Sequence, residues 1–424
     1  MRCMSPSARR NSGRGFASAL ALALSLTTGA LVATAVTAAP ALAQQQKPNH
    51  SANFAKIYQP VADAVNAPGG DVAAARAQLP GIVAAIETPD DRFNAGNLLL
   101  VVGNKLSDKA LQRQGLELMV QSGKADAAQL GQLHYFIGSL AYDQQDWAAA
   151  RTALQAAVAA GHTQDNPEAL IAESYFKEGQ SQQGLTYLKG LVDKQVAAGQ
   201  PVPDNWLLRG LQVAYQAKLS DAATEWSALL VEHSPSSENW TKALLVVDQL
   251  NSFDPKVQVD LFRLMALTNS LTDRVTYSAY VEAIDPRVMA TEAARVLDAG
   301  LRAGVFSNGD SFYTETKRVA EQRAGGERAE ADDYASRARQ AASGKDAKNA
   351  GDLYIGLEAY PQAEEMFKLA LEKGGVDRDE ALIRLGISQV QQGKLAEART
   401  SFEQVSGVRA PLAQLWSAYA ESRA

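Results

Sequence analysis

Apolar positions recur every three or four residues along almost the whole chain, the spacing that lines one face of a helix. No run alternates apolar and polar residues between hairpin turns, so strands are not expected. The pattern predicts helices of 12 to 16 residues separated by short breaks: "NAPGGD" at 66–71, "ETPDD" at 87–91, "GHTQDNP" at 161–167, "AGQPVPDN" at 198–205, "HSPSSEN" at 233–239 and "KGGVDRD" at 373–379. Each break supplies the Gly or Pro that stops one helix and the Asp, Ser or Asn that caps the next. Short breaks between short helices predict an all-helical chain of antiparallel pairs.

The pairs repeat. Gly138 returns as Ala172 after 34 residues, Tyr142 as Phe176, Ala150 as Gly184 and Leu154 as Leu188, so small meets small and large meets large. Trp206 and Trp240 are also 34 apart and each opens a helix, with Gly210, Ala222 and Trp226 completing the first of these units. Near the C-terminus the period is 35: Gly351 to Gly386, Ala363 to Ala398, Phe367 to Phe402. Small residues are expected where helix backbones approach closely, and the large ones in the wider spaces between helices. An N-terminal unit, "GGDVAAARAQLPGIV", keeps Gly70, Ala75 and Leu79 in the same places.

This pattern resembles the tetratricopeptide repeat, two antiparallel helices in about 34 residues with W-x2-L-G-x2-Y in the first and A-x3-F in the second. "ALIRLGISQVQQGKLAEARTSFEQV" is the clearest copy, with Leu385, Gly386, the turn glycine Gly393, Ala398 and Phe402. The resemblance covers 131–250 and 347–406 well and implies a right-handed superhelical solenoid of helix pairs, all-α, with some divergent units. After Trp240 the expected second helix is replaced by "NSFDPKVQVDLFRLMALTNSL", where Pro255 starts a fresh helix, and "EAARVLDAGLRAG" restores a second-helix shape. The polar stretch at 321–349 reads as a solvated helix continuing the stack or as a hinge. The final helix, "RAPLAQLWSAYAESRA", carries Leu412, Leu415 and Trp416 on one side and polar groups on the other, as a terminal cap does. The organisation expected is residues 1–43 as a signal peptide, 44–51 as a flexible mature N-terminus, 52–325 as the main array, 326–346 as a polar connection, and 347–424 as C-terminal repeats with their cap.

Composition changes this picture mainly at the N-terminus. Arg2, Arg9, Arg10 and Arg14 precede "FASALALALSLTTGALVATAV" and the triplet Ala41, Leu42, Ala43, the layout of a secretory signal cleaved after Ala43. An uncleaved membrane anchor is the other reading of this segment. Cys3 lies too far upstream to receive a lipid, and "RRNSG" lacks the bulky apolar residues of a twin-arginine signal. Cleavage removes four arginines and no acid, taking the formal charge from −6 to −10 and leaving no cysteine. An acidic chain without a basic run argues against nucleic acid as a partner. The missing thiols exclude disulfides and cysteine-ligated zinc, and suit an oxidising compartment.

The residues offer no local catalytic constellation, metal cluster or cofactor loop. His50, His134, His162 and His233 are scattered, no H-E-x-x-H or phosphate-binding glycine loop occurs, and "GISQV" at 386–390 lacks the second glycine of a nucleophile elbow. The resemblance implies that the first helices of successive pairs line a groove for a protein or peptide partner. By register that groove would present Tyr135, Ser139, Tyr142, Glu173, Phe176, Lys177, Leu207, Leu211 and Tyr215. Tyr142 and Phe176 read equally as core between repeats. The Lys and Asn set with which some family members clamp a partner's terminal carboxylate is missing. The block "YSAYVEAIDPRVMATEAARVLDAGLRAG" looks like the divergent region of repeat proteins that accompany TonB-dependent systems. The resulting expectation is a non-enzymatic periplasmic scaffold in a Gram-negative cell-envelope assembly or transport system, with no membrane span after cleavage. A protein that binds or processes cell-wall saccharide through the same groove is the alternative.

Overall fold

The computed structural model describes residues 49–423, so the proposed signal and its cleavage point lie outside the described residues. The described chain is helical throughout and divides within one helix, between Ile171 and Ala172, into two compact units.

The first unit contains α1 (Ala52–Asn66), α2 (Val72–Ala84), α3 (Pro89–Leu106), α4 (Lys109–Gln121), α5 (Ala127–Asp143) and α6 (Trp147–Ala159), and α7 (Pro167–Lys177) carries the division. The sequence breaks act as read. In "ETPDD", Thr88 and Asp91 form a reciprocal capping box and Pro89 stands in the first helical turn, where its missing N–H costs nothing. In "DQQDW", Gln145 turns the chain at φ 62° and Asp146 caps α6 by accepting from the Ala149 N–H. Residues of α3 and α4 approach most closely at two glycines: a Cβ added to Gly96 would lie 2.5 Å from the Gly115 carbonyl oxygen, and one added to Gly115 the same distance from that of Gly96. Only backbone without side chains fits there.

The second unit continues with α8 (Ser181–Ala197), α9 (Asp204–Gln216), α10 (Ser220–His233), α11 (Ser237–Asn251), α12 (Pro255–Leu267), α13 (Arg274–Ile284) and α14 (Ala290–Arg302). It ends with α15 (Ser311–Gln340), α16 (Lys345–Gly356), α17 (Tyr360–Lys373), α18 (Arg378–Gln391), α19 (Leu395–Glu403), a single 3-10 turn (Gly407–Arg409) and α20 (Ala410–Glu421). The small-against-large rule has a fixed form in both units. A residue on the first helix of a pair meets the one sixteen positions later: a Cβ on Gly138 would come 2.6 Å from Leu154, on Gly210 2.2 Å from Trp226, on Gly351 2.8 Å from Phe367 and on Gly386 2.3 Å from Phe402. In α7 and α8 the roles reverse, and the Phe176 ring fills the space over Gly184, 2.4 Å from its notional Cβ. The all-α, tetratricopeptide-like architecture of paired helices is therefore carried by internal geometry.

Three expectations change. Helix lengths run beyond 12 to 16 residues: α3 has 18, α15 has 30 and α19 only nine. The fresh helix expected after Trp240 does begin at Pro255: it is α12, with Pro255 in its first turn and Asp254 as its cap. Residues 326–346 are neither a connection nor a domain boundary. They complete α15 and turn into α16, and Ala331, Ala335 and Ala338 are buried in one apolar cluster with Ala347 and Ala350. Finally, α20 is no polar-faced cap. Leu412, Leu415 and Trp416 are joined in the core by Ala413, Ala418, Tyr419 and Ala420, because α20 packs against α10, α11 and α12, more than 140 residues earlier in the chain.

Candidate functional site

The predicted groove residues fall into three groups. On α5, Tyr135, Ser139 and Tyr142 are half-buried. The Tyr135 ring stacks on His162 with centroids 5.0 Å apart, and Tyr142 meets Trp147 edge-on at 5.0 Å, so both rings are partly engaged within their own unit. On α7, Glu173 accepts two hydrogen bonds from Arg209 of α9, from Nε at 2.6 Å and from Nη2 at 2.8 Å. The same guanidinium lies over the Phe176 ring at 5.2 Å, so Phe176 serves both the pair core and the surface tie. Lys177 is exposed. On α9, Tyr215 is 41% exposed and donates its hydroxyl to Gln249 of α11 at 2.8 Å.

Leu207 and Leu211 are a correction. Both are buried in the apolar cluster that holds Leu188, Trp206, Ala214 and Trp226, since two leucines four apart sit on the inward stripe of the helix. The outer face of α9 lies one residue round, at Leu208, Gln212 and Tyr215. Leu208, 37% exposed, and Leu245 of α11, 40% exposed, present apolar side chains to solvent on the helices that the Glu173–Arg209 and Tyr215–Gln249 ties engage. Sequence reading missed Leu208, Arg209, Leu245 and Gln249. The pairs Glu173–Arg209 and Tyr215–Gln249, 36 and 34 apart, carried the signal in their near-repeat spacing.

A buried ionic cluster was also unread. Asp260 of α12 is fully buried and accepts from Arg263 at 2.9 Å, from Arg384 of α18 at 3.2 Å and from Arg409 in the 3-10 turn at 3.2 Å. Its main-chain oxygen accepts from the Trp416 indole at 3.1 Å. Arg263 also donates twice to Glu292 of α14, at 2.9 Å each, and the Tyr280 hydroxyl donates to the same carboxylate at 2.7 Å. Burial pushes the Glu292 carboxyl up, but the Arg263 and Arg295 guanidiniums prevail and hold it at about 2. Arg384 reaches Asp352 at 2.7 Å and Glu380 at 2.5 Å, and Lys348 bridges those two acids. Nearby, Glu327 of α15 accepts from the Thr291 N–H at the start of α14 at 2.7 Å, while its other oxygen has no partner; burial, with Glu292 and Glu330 nearby, raises its carboxyl.

Above this cluster the second unit holds a pocket of about 230 Å³ with mostly apolar walls from α12, α13, α14, α16, α17, α18 and α20. Leu267, Val296, Ile355 and Ile387 line it, with Tyr277, Tyr280 and Tyr360. The first unit has a shallower depression of about 420 Å³ beside α4, α5 and α6, where His134 stands with Arg113 and Ala153 and burial lowers its pKa. Among the described residues, no group of three or more His, Cys, Asp or Glu is placed to hold a metal, and no helix is long and apolar enough to cross a membrane.

No family model matches the chain, and no curated protein matches it. It is similar to the solved structure of Naa15/Naa10 bound to HypK-THB, at TM-score 0.27 and 12% identity over 81% of this chain and 62% of that one, so it spans under two thirds of that relative. The Cut9-Hcn1 hetero-tetramer of the APC/C matches at TM-score 0.20 and 12% identity, over 87% of this chain and 84% of that one. Yeast Tom70 matches at TM-score 0.20 and 11% identity, over 87% and 95%. Likenesses this slight carry no functional argument.

Proposed function

We propose that the chain is a non-enzymatic scaffold that holds a protein or peptide partner in a bacterial cell-envelope assembly or transport system, TonB-linked transport among them. The observation that carries this reading is the outer face of α9 and α11. Leu208, Tyr215 and Leu245 stand exposed there, on helices whose polar neighbours are already tied across the stack. Large apolar side chains held on a rigid surface are what a partner's side chains bury well. Export to the periplasm is supported by the arginines, apolar run and Ala-x-Ala triplet of residues 1–43.

A photo-crosslinking residue placed at Leu208, Tyr215 or Leu245 in cells tests the scaffold role, with the same residue at the 78%-exposed Val275 as control. The expected result is one discrete protein adduct from the first three positions and none from Val275. Absence of any position-dependent adduct, with retention of cell-wall saccharide by the purified protein, would replace this reading with saccharide binding. Fractionation with N-terminal sequencing tests export separately, and a mature chain beginning at Gln44 is expected.

A further inference from the structure

The ionic cluster beneath the second unit's pocket determines what that pocket can accept. Arg263 and Glu292, both on its wall and both buried, satisfy one another through two hydrogen bonds, and Tyr280 and Asp260 occupy further sites on the pair. At another part of the wall, Arg295 donates to the Gly356 carbonyl at 3.0 Å and pairs with Glu358 at 3.4 Å. The lining charges are thus matched two against two. An incoming ion would be stripped of water and find no open counter-charge, which is costly in a largely apolar space.

Neutral hydrogen-bonding groups remain. Tyr277, Tyr360 and Gln391 line the same pocket, and among the described residues no hydrogen bond engages their polar ends. Burial raises both tyrosine hydroxyls, so they stay protonated and able to donate or accept. Size narrows the choice further. An apolar cavity of about 150 Å³ suffices for benzene, so about 230 Å³ takes one ring with one or two substituents.

We propose that this pocket binds a small uncharged molecule with a ring-sized apolar body and one or two hydrogen-bonding groups, of the chemical class of a substituted phenol. The apolar body fills the space between Leu267, Val296, Ile355 and Ile387, and the polar group bonds to Tyr277, Tyr360 or Gln391. The site is separate from the face of α9 and α11, so its failure leaves the scaffold reading standing.

The test is calorimetric titration of the full chain with p-cresol, alongside 4-methylbenzoate and 4-methylbenzylammonium as charged molecules of nearly the same body. One-to-one saturable binding of p-cresol is expected, with both charged analogues at least tenfold weaker. Ala299→Phe, which fills the pocket, should weaken p-cresol at least tenfold without lowering the melting temperature; where that variant does not fold, Ala266→Trp at an exposed position of the lining serves instead. Gln391→Leu should weaken it severalfold. Absence of saturable binding, equal binding of a charged analogue, or binding unaffected by the filling variant would each overturn the proposal. Tighter binding of N-acetyltyrosinamide than of p-cresol would also overturn it, by assigning the site to a peptide side chain.

Discussion

The two units solve the same packing problem with different chemistry. In residues 49–171 the helices meet through small residues and apolar side chains, and Asp91 is the one buried charged residue among those described. It sits at the start of α3, where it accepts from the Glu87 and Thr88 N–H groups beside it and from the Ser51 N–H just before α1, so it ties together neighbouring helix starts within its own unit. In residues 172–423, Asp260, Arg263, Glu292, Glu327, Glu364, Arg384 and Arg409 are all buried. Three of them, Asp260, Arg384 and Arg409, link helices far apart in the chain: Asp260 joins α12 to α18, the 3-10 turn and α20. Neighbouring pairs need only a complementary apolar face. A helix that returns across the unit onto α12 is located by directional bonds.

That contrast can be broken most forcefully at Asp260. Asp260→Ala leaves three arginines around a void and should cost about 3–5 kcal/mol in a denaturant melt; a loss under about 1 kcal/mol would show that α20 is held by packing alone. Acid should act through the same cluster. Glu292 is held at about 2 against a usual 4.5, a stabilisation on the order of 3 kcal/mol. Because the folded value is the lower one, that contribution is complete above pH 4.5 and disappears as the pH falls toward 2. Melts across that range should show the fall, and Glu292→Gln should flatten it; an unchanged slope in the variant would remove Glu292 as its source.

The pair contacts should give intermediate effects in both units. Gly210→Ala drives a methyl into the Trp226 ring and Gly96→Ala into the Gly115 backbone, and each should cost about 1–3 kcal/mol. Gly81→Ala, with nothing within 4 Å of the new carbon, should instead stabilise α2 by up to about 1 kcal/mol. Thermal melts of the three variants check the contrast, and a loss at Gly81 would undermine the contact argument. The smallest effect is expected at Glu327. Its raised pKa means that its contribution to stability falls as the pH rises from the usual 4.5 through the folded value and is fully lost above it, so Glu327→Gln should gain under about 1 kcal/mol at pH 8 and nothing at pH 4. A loss at pH 8 would mean that the carboxylate charge supports α14.

Much of the fold was legible because its contacts are local. Gly138 and Leu154, or Gly386 and Phe402, lie one helix hairpin apart, so a pattern of size along the chain reports them directly. The candidate site was legible only in part. Tyr215, Lys177 and Glu173 reach the surface, but a register shifted by one residue made Leu207 and Leu211 look like their neighbours. Which side of an apolar stripe faces the next helix depends on how that helix rolls, and residue type does not encode the roll.

From the sequence alone followed the helices, their caps and breaks, the pairing of neighbours and the small-against-large contacts, since these are set by residues within about 34 positions of one another. The tertiary structure alone decided that α20 turns back onto α10, α11 and α12, that Asp260 gathers Arg263, Arg384 and Arg409, and that a mostly apolar pocket lies beside the Arg263–Glu292 pair. Those contacts join residues as much as 156 positions apart in the bond from Trp416 to Asp260, and farther still where α20 meets α10 and α11. An isolated Asp or Arg on a helix looks like a solvated residue until the distant helix that buries it is in place.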